Sequence, residues 1–239
     1  MKKLYKYIYL LVVLIPLLLL IACSKELSNK SYYSLLITGD VIFTLFIAYL
    51  YFEKRKKGIQ EIVVISTLSS MAAVSRVIFA PIPNVQPATF IILISGLVFG
   101  SYNGFLIGAT TAFISNIFLG QGPWTPWQMI AWGIVGVLGG LMKTKSKKPK
   151  MEYFAIVSFV CGILFGWFMN LWHVIGFIKE LSKEAILLTY LNSIYYDVLH
   201  GIGNVIFVII FYESFYKILS RFHDRTYYKE NNLGSDKYE

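Results

Sequence analysis

Apolar residues occur in eight long runs along this chain, and most charged residues lie between the runs. The runs cover residues 4–22, 33–52, 60–79, 88–100, 102–119, 127–142, 153–176 and 185–218. A helix needs about 20 residues to cross a bilayer, so the pattern predicts an all-α polytopic membrane bundle of about eight transmembrane helices. The fourth run is short. We expect its helix to begin near Asn84, or to form a tight helical hairpin turning at Gly100 and Ser101.

Composition and charge agree with a membrane protein and suggest its orientation. Apolar residues make up 56% of the chain and charged residues only 15%, which is far from the average soluble domain. With the N-terminus inside, most of the 22 Lys and Arg residues fall on the cytoplasmic side, as the positive-inside rule requires. Both termini are therefore predicted to be cytoplasmic in a multi-pass cell-membrane protein. Loops facing anionic lipid account for the net charge of +9, so we expect no nucleic-acid partner.

The runs divide the chain into three predicted parts. Residues 1–57 form an N-terminal two-helix membrane hairpin, residues 58–220 a six-helix core, and residues 221–239 a polar cytoplasmic tail that we expect to be mostly disordered. Asp40 is charged and lies inside the second helix, where an acidic residue is expected to face protein or water.

The two cysteines raise one question about the N-terminus. Cys23 follows Leu20, Ile21 and Ala22, which together resemble a lipoprotein cleavage site; the alternative is a plain first helix. Cys161 is the only other cysteine, so the chain has neither a disulfide framework nor a cysteine metal site.

The loop between the fifth and sixth runs breaks two apolar helices without using any charge. Its helix-breaking residues are Gly120, Gly122, Pro123 and Pro126. Its polar side chains are neutral amides and indoles, namely Asn116, Gln121, Trp124, Trp127 and Gln128. Because glycine and proline restrict where the helices can end, we predict that these side chains line or cover a binding cavity. The alternative is an interfacial turn anchored by its tryptophans.

Further polar side chains are predicted on the same side of the membrane, at the outer ends of the helices. They are Arg76, Asn84, Gln86, Asn170, His173, Tyr196, Asp197 and His200. Unpaired polar groups are costly in hydrocarbon, so we expect a wet or ligand-filled cavity that opens outward. A channel would require polar residues along the whole depth of the bundle.

Simpler roles are open for several of these residues. Asn170 can serve as an interhelical hydrogen-bonding group, as is common in membrane bundles. Asp197 lies one turn before His200, so it can orient that ring or neutralise Arg76. We expect His173 and His200 to approach the same cavity, with no metal between them because no further ligand occurs at a recognised spacing.

Three segments of the chain resemble a known transporter family. They are RVIFAPIPNVQP at residues 76–87, VFGSYNGFLIG at residues 98–108 and GQGPWTPWQM at residues 120–129. Together they resemble the substrate-binding (S) component of energy-coupling factor (ECF) vitamin transporters, most closely the cobalamin and corrinoid branch, over about residues 58–219. The resemblance implies a six-helix core that captures a vitamin on the extracellular side. It also implies three partners, one transmembrane coupling protein and two cytoplasmic ATPases.

The same resemblance suggests a docking surface on the third predicted helix. Ser66, Ser69, Ser70 and Ala73 share one face of that helix as a stripe of small residues, which lets another helix approach closely in lipid. S components use a small-xxx-small pattern at this place to dock on the coupling protein. The alternative is that the stripe packs inside the chain.

Other functions are less well supported by the residues. Tyr196 and Asp197 resemble half of an intramembrane aspartyl protease site, but the Gly-x-Gly at residues 201–203 is followed by Asn204 rather than a second aspartate. No nucleotide-binding P-loop is present. We therefore expect no enzyme activity and no cofactor. An S component for a queuosine precursor, a thiamine precursor or another vitamin remains an alternative, as does a solo secondary transporter.

Overall fold

The computed structural model describes residues 33–54, 59–143, 148–178 and 182–235. These ranges contain α-helices and no strand, which confirms the predicted helical bundle. The helices are α1 (Tyr33–Lys54), α2 (Ile59–Ile78), α3 (Ala88–Phe99), α4 (Ser101–Leu119), α5 (Thr125–Leu141), α6 (Met151–Phe177) and α7 (Lys183–Ser235). Helices α1, α2, α4, α6 and α7 are long and apolar enough to cross a membrane. The first apolar run and Cys23 lie outside the described residues.

Helix α3 is the short central element of the bundle. Every residue from Ala88 to Val98 is buried, and a helix that is apolar on all sides belongs inside a protein. It ends at Gly100, whose φ of +90° suits glycine, and α4 begins at the next residue. The predicted hairpin at Gly100 is therefore confirmed. A start near Asn84 is wrong, because Asn84 lies in a turn with a φ of 55°.

Glycines bring the backbones of α3, α4 and α5 into direct contact. A Cβ atom added to Gly136 of α5 would lie 2.0 Å from the carbonyl oxygen of Gly104 in α4. One added to Gly96 of α3 would lie 2.0 Å from the carbonyl oxygen of Gly136. In lipid there is little hydrophobic drive between helices, so close packing of small residues holds them together. This three-helix unit is the centre of the fold.

Helix α1 packs against α5 and α6 and is hydrogen-bonded to α4, so it belongs to the bundle. The Tyr49 hydroxyl lies 2.7 Å from Thr110 Oγ1 in α4, and the Tyr102 hydroxyl of α4 donates to the carbonyl of Ala48 at 3.0 Å. The grouping of residues 1–57 as a separate hairpin stays a prediction, because its first helix lies outside the described residues.

Helices α6 and α7 form a long pair, and α7 continues well past the apolar run. A Cβ atom on Gly162 would lie 2.7 Å from the backbone nitrogen of Gly201, so the two helices touch there. Helix α7 extends to Ser235, which corrects the expectation of a mostly disordered tail. No glycine or proline occurs between Gly203 and Gly234 to end the helix.

Substituting Gly136 by alanine tests the close packing of α4 and α5. We expect Gly136→Ala to lower the free energy of unfolding by about 1–3 kcal/mol, because the added methyl group collides with backbone. The matched control is Gly176→Ala in α6, where a Cβ atom meets nothing within 4 Å. Thermal melts of the two purified variants in detergent measure the difference; equal melting temperatures would contradict this account of the packing.

Candidate site at the predicted outer end

A buried arginine joins α2 to α4 at the predicted outer end of the bundle. Arg76 lies in the last turn of α2. Its Nη1 donates to Ser115 Oγ and to Asn116 Oδ1 of α4, each at 2.6 Å. Both acceptors are neutral, so the guanidinium is held in place without an opposite charge.

The amides of the uncharged loop form a network around Asn116. Asn116 Nδ2 donates to Gln128 Oε1 at 2.6 Å and to Thr125 Oγ1 at 3.0 Å. The Thr125 hydroxyl donates to Gln121 Oε1 at 2.8 Å, and Gln121 Nε2 donates to the carbonyl of Phe113 at 3.0 Å. Because an amide both donates and accepts, a chain of such bonds can form without a charged side chain. The network explains why this loop can lack charge.

Trp132 connects Arg76 to α3, α6 and α7. The Arg76 guanidinium lies 4.8 Å from the centre of the Trp132 ring, which stacks on Phe165 with ring centres 4.6 Å apart. Trp132 Nε1 donates to Thr89 Oγ1 at 3.0 Å, and that same oxygen lies 2.8 Å from His200 Nε2. Aromatic rings and polar groups from five helices therefore meet at one place.

Arg76 carries a positive charge that the described residues do not balance. The Arg76 side chain is buried, with the residue only 9% exposed, and its Nε has no hydrogen-bond partner. In the described ranges the ion pairs are Lys148–Glu213 and His223–Asp224, and neither involves Arg76. The guanidinium is stabilised by the face of the Trp132 ring, by its two hydrogen bonds to α4 and by the C-terminus of α2, without an acidic partner among the described residues.

Asp197 is bonded elsewhere, which corrects two of the expected pairings. Its Oδ2 accepts from Ser193 Oγ at 2.8 Å, and Asn170 Nδ2 donates to that hydroxyl at 2.6 Å. The carboxylate lies against α6, where a Cβ atom on Gly166 would be 1.9 Å from Oδ1. Asp197 therefore neither neutralises Arg76 nor orients His200, whose ring is bonded to α3 instead.

Comparison with known proteins identifies the family. The model of the family described as the ECF-type riboflavin transporter S component matches residues 56–221, more than half of the chain. The chain belongs to this family of S components. No curated protein and no solved structure matches the chain.

Membership of this family sets the general role of the chain. It makes the chain a transporter component rather than a member of an enzyme family, and it implies that the chain works with an energy-coupling module. This family is named for riboflavin, and the match does not support the expected cobalamin branch. The match covers α2 to α7 as far as Arg221 and leaves α1 outside it.

The two tryptophans of the loop have different surroundings in this S component. Trp127 is fully buried. Its Nε1 donates to Thr38 Oγ1 of α1 at 3.4 Å, and its ring packs beside Phe168. Trp127 is five residues from Trp132, which places the two side chains about 140° apart around α5. Trp127 therefore contacts α1 and does not face Arg76. Trp124 is half-buried and meets Trp172 edge-on at 6.2 Å.

The remaining expected site residues lie near the surface. His173 is exposed and stacks on Phe177. Gly162 of α6 contacts the backbone of His200, and His173 lies eleven residues further along α6, which is about 16 Å. The prediction that the two histidines approach the same cavity is therefore wrong. Asn84 Nδ2 donates to the carbonyl of Tyr196 at 3.1 Å. The Tyr196 ring is exposed and Gln86 is half-buried.

The small-residue stripe on α2 is divided between the inside and the outside of the S component. Ser69 and Ala73 are buried at 0% and 1% exposure, and Ser69 Oγ donates to the carbonyl of Ile107 in α4 at 3.3 Å. They pack inside the chain, which corrects their assignment to a docking surface. Ser66 and Ser70 are exposed.

Three site residues had not been recognised in the sequence: Thr89, Trp132 and Phe165. Each lies inside an apolar run and reads as ordinary core. A tryptophan and a threonine in such a run are a weak signal, because both need a hydrogen-bond partner when buried.

The shared hydroxyl of Thr89 can be tested by substitution with valine. Thr89→Val keeps the side-chain shape but leaves Trp132 Nε1 and His200 Nε2 without that partner. An unsatisfied buried polar group costs about 1–3 kcal/mol, so we expect a clearly lower melting temperature. Thr67→Val, at an exposed position of α2, is the matched control. If both variants melt like the parent protein, the hydrogen bonds to Thr89 are not important for stability.

Proposed function

We propose that this chain is the substrate-capturing subunit of an ECF-type importer and binds a ring-bearing vitamin from the extracellular side. The observation that carries the proposal is the convergence of the Arg76–Asn116 hydrogen bonds and the Trp132–Phe165 stack. Stacked aromatic rings next to hydrogen-bonding groups suit a planar heteroaromatic ligand. Family membership supports the same general role.

Riboflavin is the first candidate ligand, because the matched family description names it. Its flat ring system has carbonyl and N–H groups along one edge, which amide side chains such as Gln128 can match. Cobalamin or a related corrinoid is the second candidate, because neutral amides like those of the loop suit a ligand ringed with amides. Mass spectrometry of the bound molecule would also identify a queuosine or thiamine precursor.

We further propose that the partners are one transmembrane coupling protein and two cytoplasmic ATPases, with both termini of this chain in the cytoplasm. The docking surface would be the exposed face of α2 around Ser66 and Ser70. Val63 and Val74 are 47% and 56% exposed on this helix, so the face offers small and apolar side chains to another helix. The opposite face of α2 is covered by α3 and α4.

Ligand capture can be tested on the purified chain. We expect mass spectrometry of the detergent-solubilised protein to find a bound vitamin, and added riboflavin to lose fluorescence when it stacks on the site. Gln128→Ala should weaken binding roughly tenfold to a hundredfold by removing one amide of the network. Gln60→Ala, in the first turn of α2 at the other end of the bundle, is the matched control. Tight binding of a corrinoid without riboflavin binding would reverse the order of the two candidates.

Docking can be tested with two serines on opposite faces of α2. Ser66→Leu places a bulky side chain on the exposed face, so we expect ligand binding by the isolated chain to be unchanged and co-purification with the coupling complex to fail. Ser69→Leu should instead destabilise the chain itself, because Ser69 is buried against α4. Retained complex formation by Ser66→Leu would move the docking surface elsewhere. Transport without any coupling module would favour a solo transporter.

A further inference from the structure

A surface cavity lies at the end of the bundle opposite Arg76, between the segment that precedes α6 and the part of α7 beyond its apolar run. Its volume is about 580 Å³, and its wall includes Lys148, Glu213, Lys217, Ser220, Arg221 and Asp224. Cavities that hold small molecules usually measure about 300–1,000 Å³. The cavity is therefore large enough for a small charged group.

The length of α7 places this cavity at the depth of the lipid headgroups. Glu184 and Glu213 border the apolar part of the helix and lie 29 residues apart, which is about 44 Å along its axis. A bilayer with its headgroup regions is about 40–45 Å thick. A helix with Glu184 in one headgroup layer therefore has Glu213 and Lys217 in the other, on the side that we predict to be cytoplasmic.

Lys148 forms one side of the cavity and is held there by α7. It makes an ion pair with Glu213, and its Nζ lies 4.8 Å and 5.2 Å from the centres of the Tyr212 and Tyr216 rings. The Tyr212 hydroxyl donates to the carbonyl of Pro149 at 2.7 Å, which fixes the segment before α6 against α7. This side of the cavity therefore has a defined position.

Lys217 and Arg221 supply positive charge to the other side of the cavity. They lie one turn apart on the same face of α7, and both are exposed. Of the two acidic residues in the wall, Glu213 is paired with Lys148, and Asp224 Oδ1 lies 3.4 Å from a ring nitrogen of its neighbour His223. In the part of the chain that the structure describes, neither Lys217 nor Arg221 takes part in an ion pair.

An exposed apolar stripe leads from the cavity toward the centre of the bilayer. Ile206 and Ile210 lie eleven and seven residues before Lys217, so they share its face of α7. They are 45% and 59% exposed. This face therefore offers apolar surface next to unpaired positive charge.

We propose that the cavity binds the headgroup of an anionic phospholipid, with the lipid phosphate at Lys217 and Arg221 and an acyl chain along Ile206 and Ile210. The planar guanidinium of Arg221 can bind two phosphate oxygens at once, and Lys217 adds a second cation. Basic pockets between transmembrane helices on the cytoplasmic side are suited to such headgroups. The site is separate from the vitamin site and does not depend on which vitamin is captured.

General attraction between basic residues and anionic lipid is the competing explanation. In that case each exposed Lys or Arg near the headgroups contributes about equally. A specific site instead makes Lys217 and Arg221 more important than other cations. The comparison therefore uses two double variants that remove the same charge, Lys217→Gln with Arg221→Gln in the cavity and Lys54→Gln with Arg225→Gln outside its wall.

Thermal melts of the purified full chain in detergent test the site. We expect phosphatidylglycerol, which carries one negative charge, to raise the melting temperature by at least about 4 °C more than zwitterionic phosphatidylcholine does. The cavity double variant should lose most of this difference, and the control double variant should keep it. Native mass spectrometry should find phosphatidylglycerol retained by the parent protein and by the control, but not by the cavity variant.

Equal rises with the two lipids would overturn the proposal, and so would an equal loss of the difference in both double variants. Inorganic phosphate added without lipid separates a lipid from a soluble ligand. We expect it to leave the melting temperature unchanged. A rise with phosphate as large as that with phosphatidylglycerol, absent from the cavity variant, would assign the cavity to a soluble phosphate compound and overturn the assignment to lipid.

Discussion

Direct backbone contact between α4 and α5 determines the rest of this structure. Gly104 lies opposite Gly136, and four residues further along α4, a Cβ atom on Gly108 would be 2.2 Å from the carbonyl oxygen of Trp132. Two more turns along α4 bring Asn116 opposite Thr125, where the side chains are hydrogen-bonded. An antiparallel pair with glycines at its contacts has one register, because any sliding would bring a side chain against backbone. This register fixes the relative positions of the site residues at the end of the helix pair.

Arg76 extends this arrangement to α2, which has one buried face and one exposed face. Its inner face reaches the site through Arg76 and packs through Ser69 and Ala73, while Ser66 and Ser70 remain exposed. A ligand that changes the position of Arg76 would therefore act on the same helix that we propose for docking. Because a helix is stiff along its axis, the two faces move together. This offers a simple physical route from ligand capture to the coupling partner.

Much of the fold could be predicted from the sequence, and the site only in part. The apolar runs predicted every described helix, and the glycine at position 100 predicted the hairpin between α3 and α4. Asn116, Gln121 and Gln128 meet in one hydrogen-bonded network, and their role in lining a cavity stays a prediction. Trp127 was assigned to the same site but lies on another side of α5, because the faces of a helix that is apolar all round cannot be distinguished by hydrophobic periodicity. Thr89 and Phe165 were missed for the same reason.

The sequence alone determined the class of protein, the number of described helices and the end of the bundle that is rich in polar side chains. These properties depend on local composition, since the bilayer requires about 20 apolar residues per crossing whatever the neighbours are. Only the tertiary structure decided the partners of Arg76, Asp197 and His200. Each of these side chains can reach several partners, and the choice depends on how closely the helices approach and how they are rotated. Close approach depends on glycine contacts between distant segments, and the spacing of residues along one helix carries no information about it.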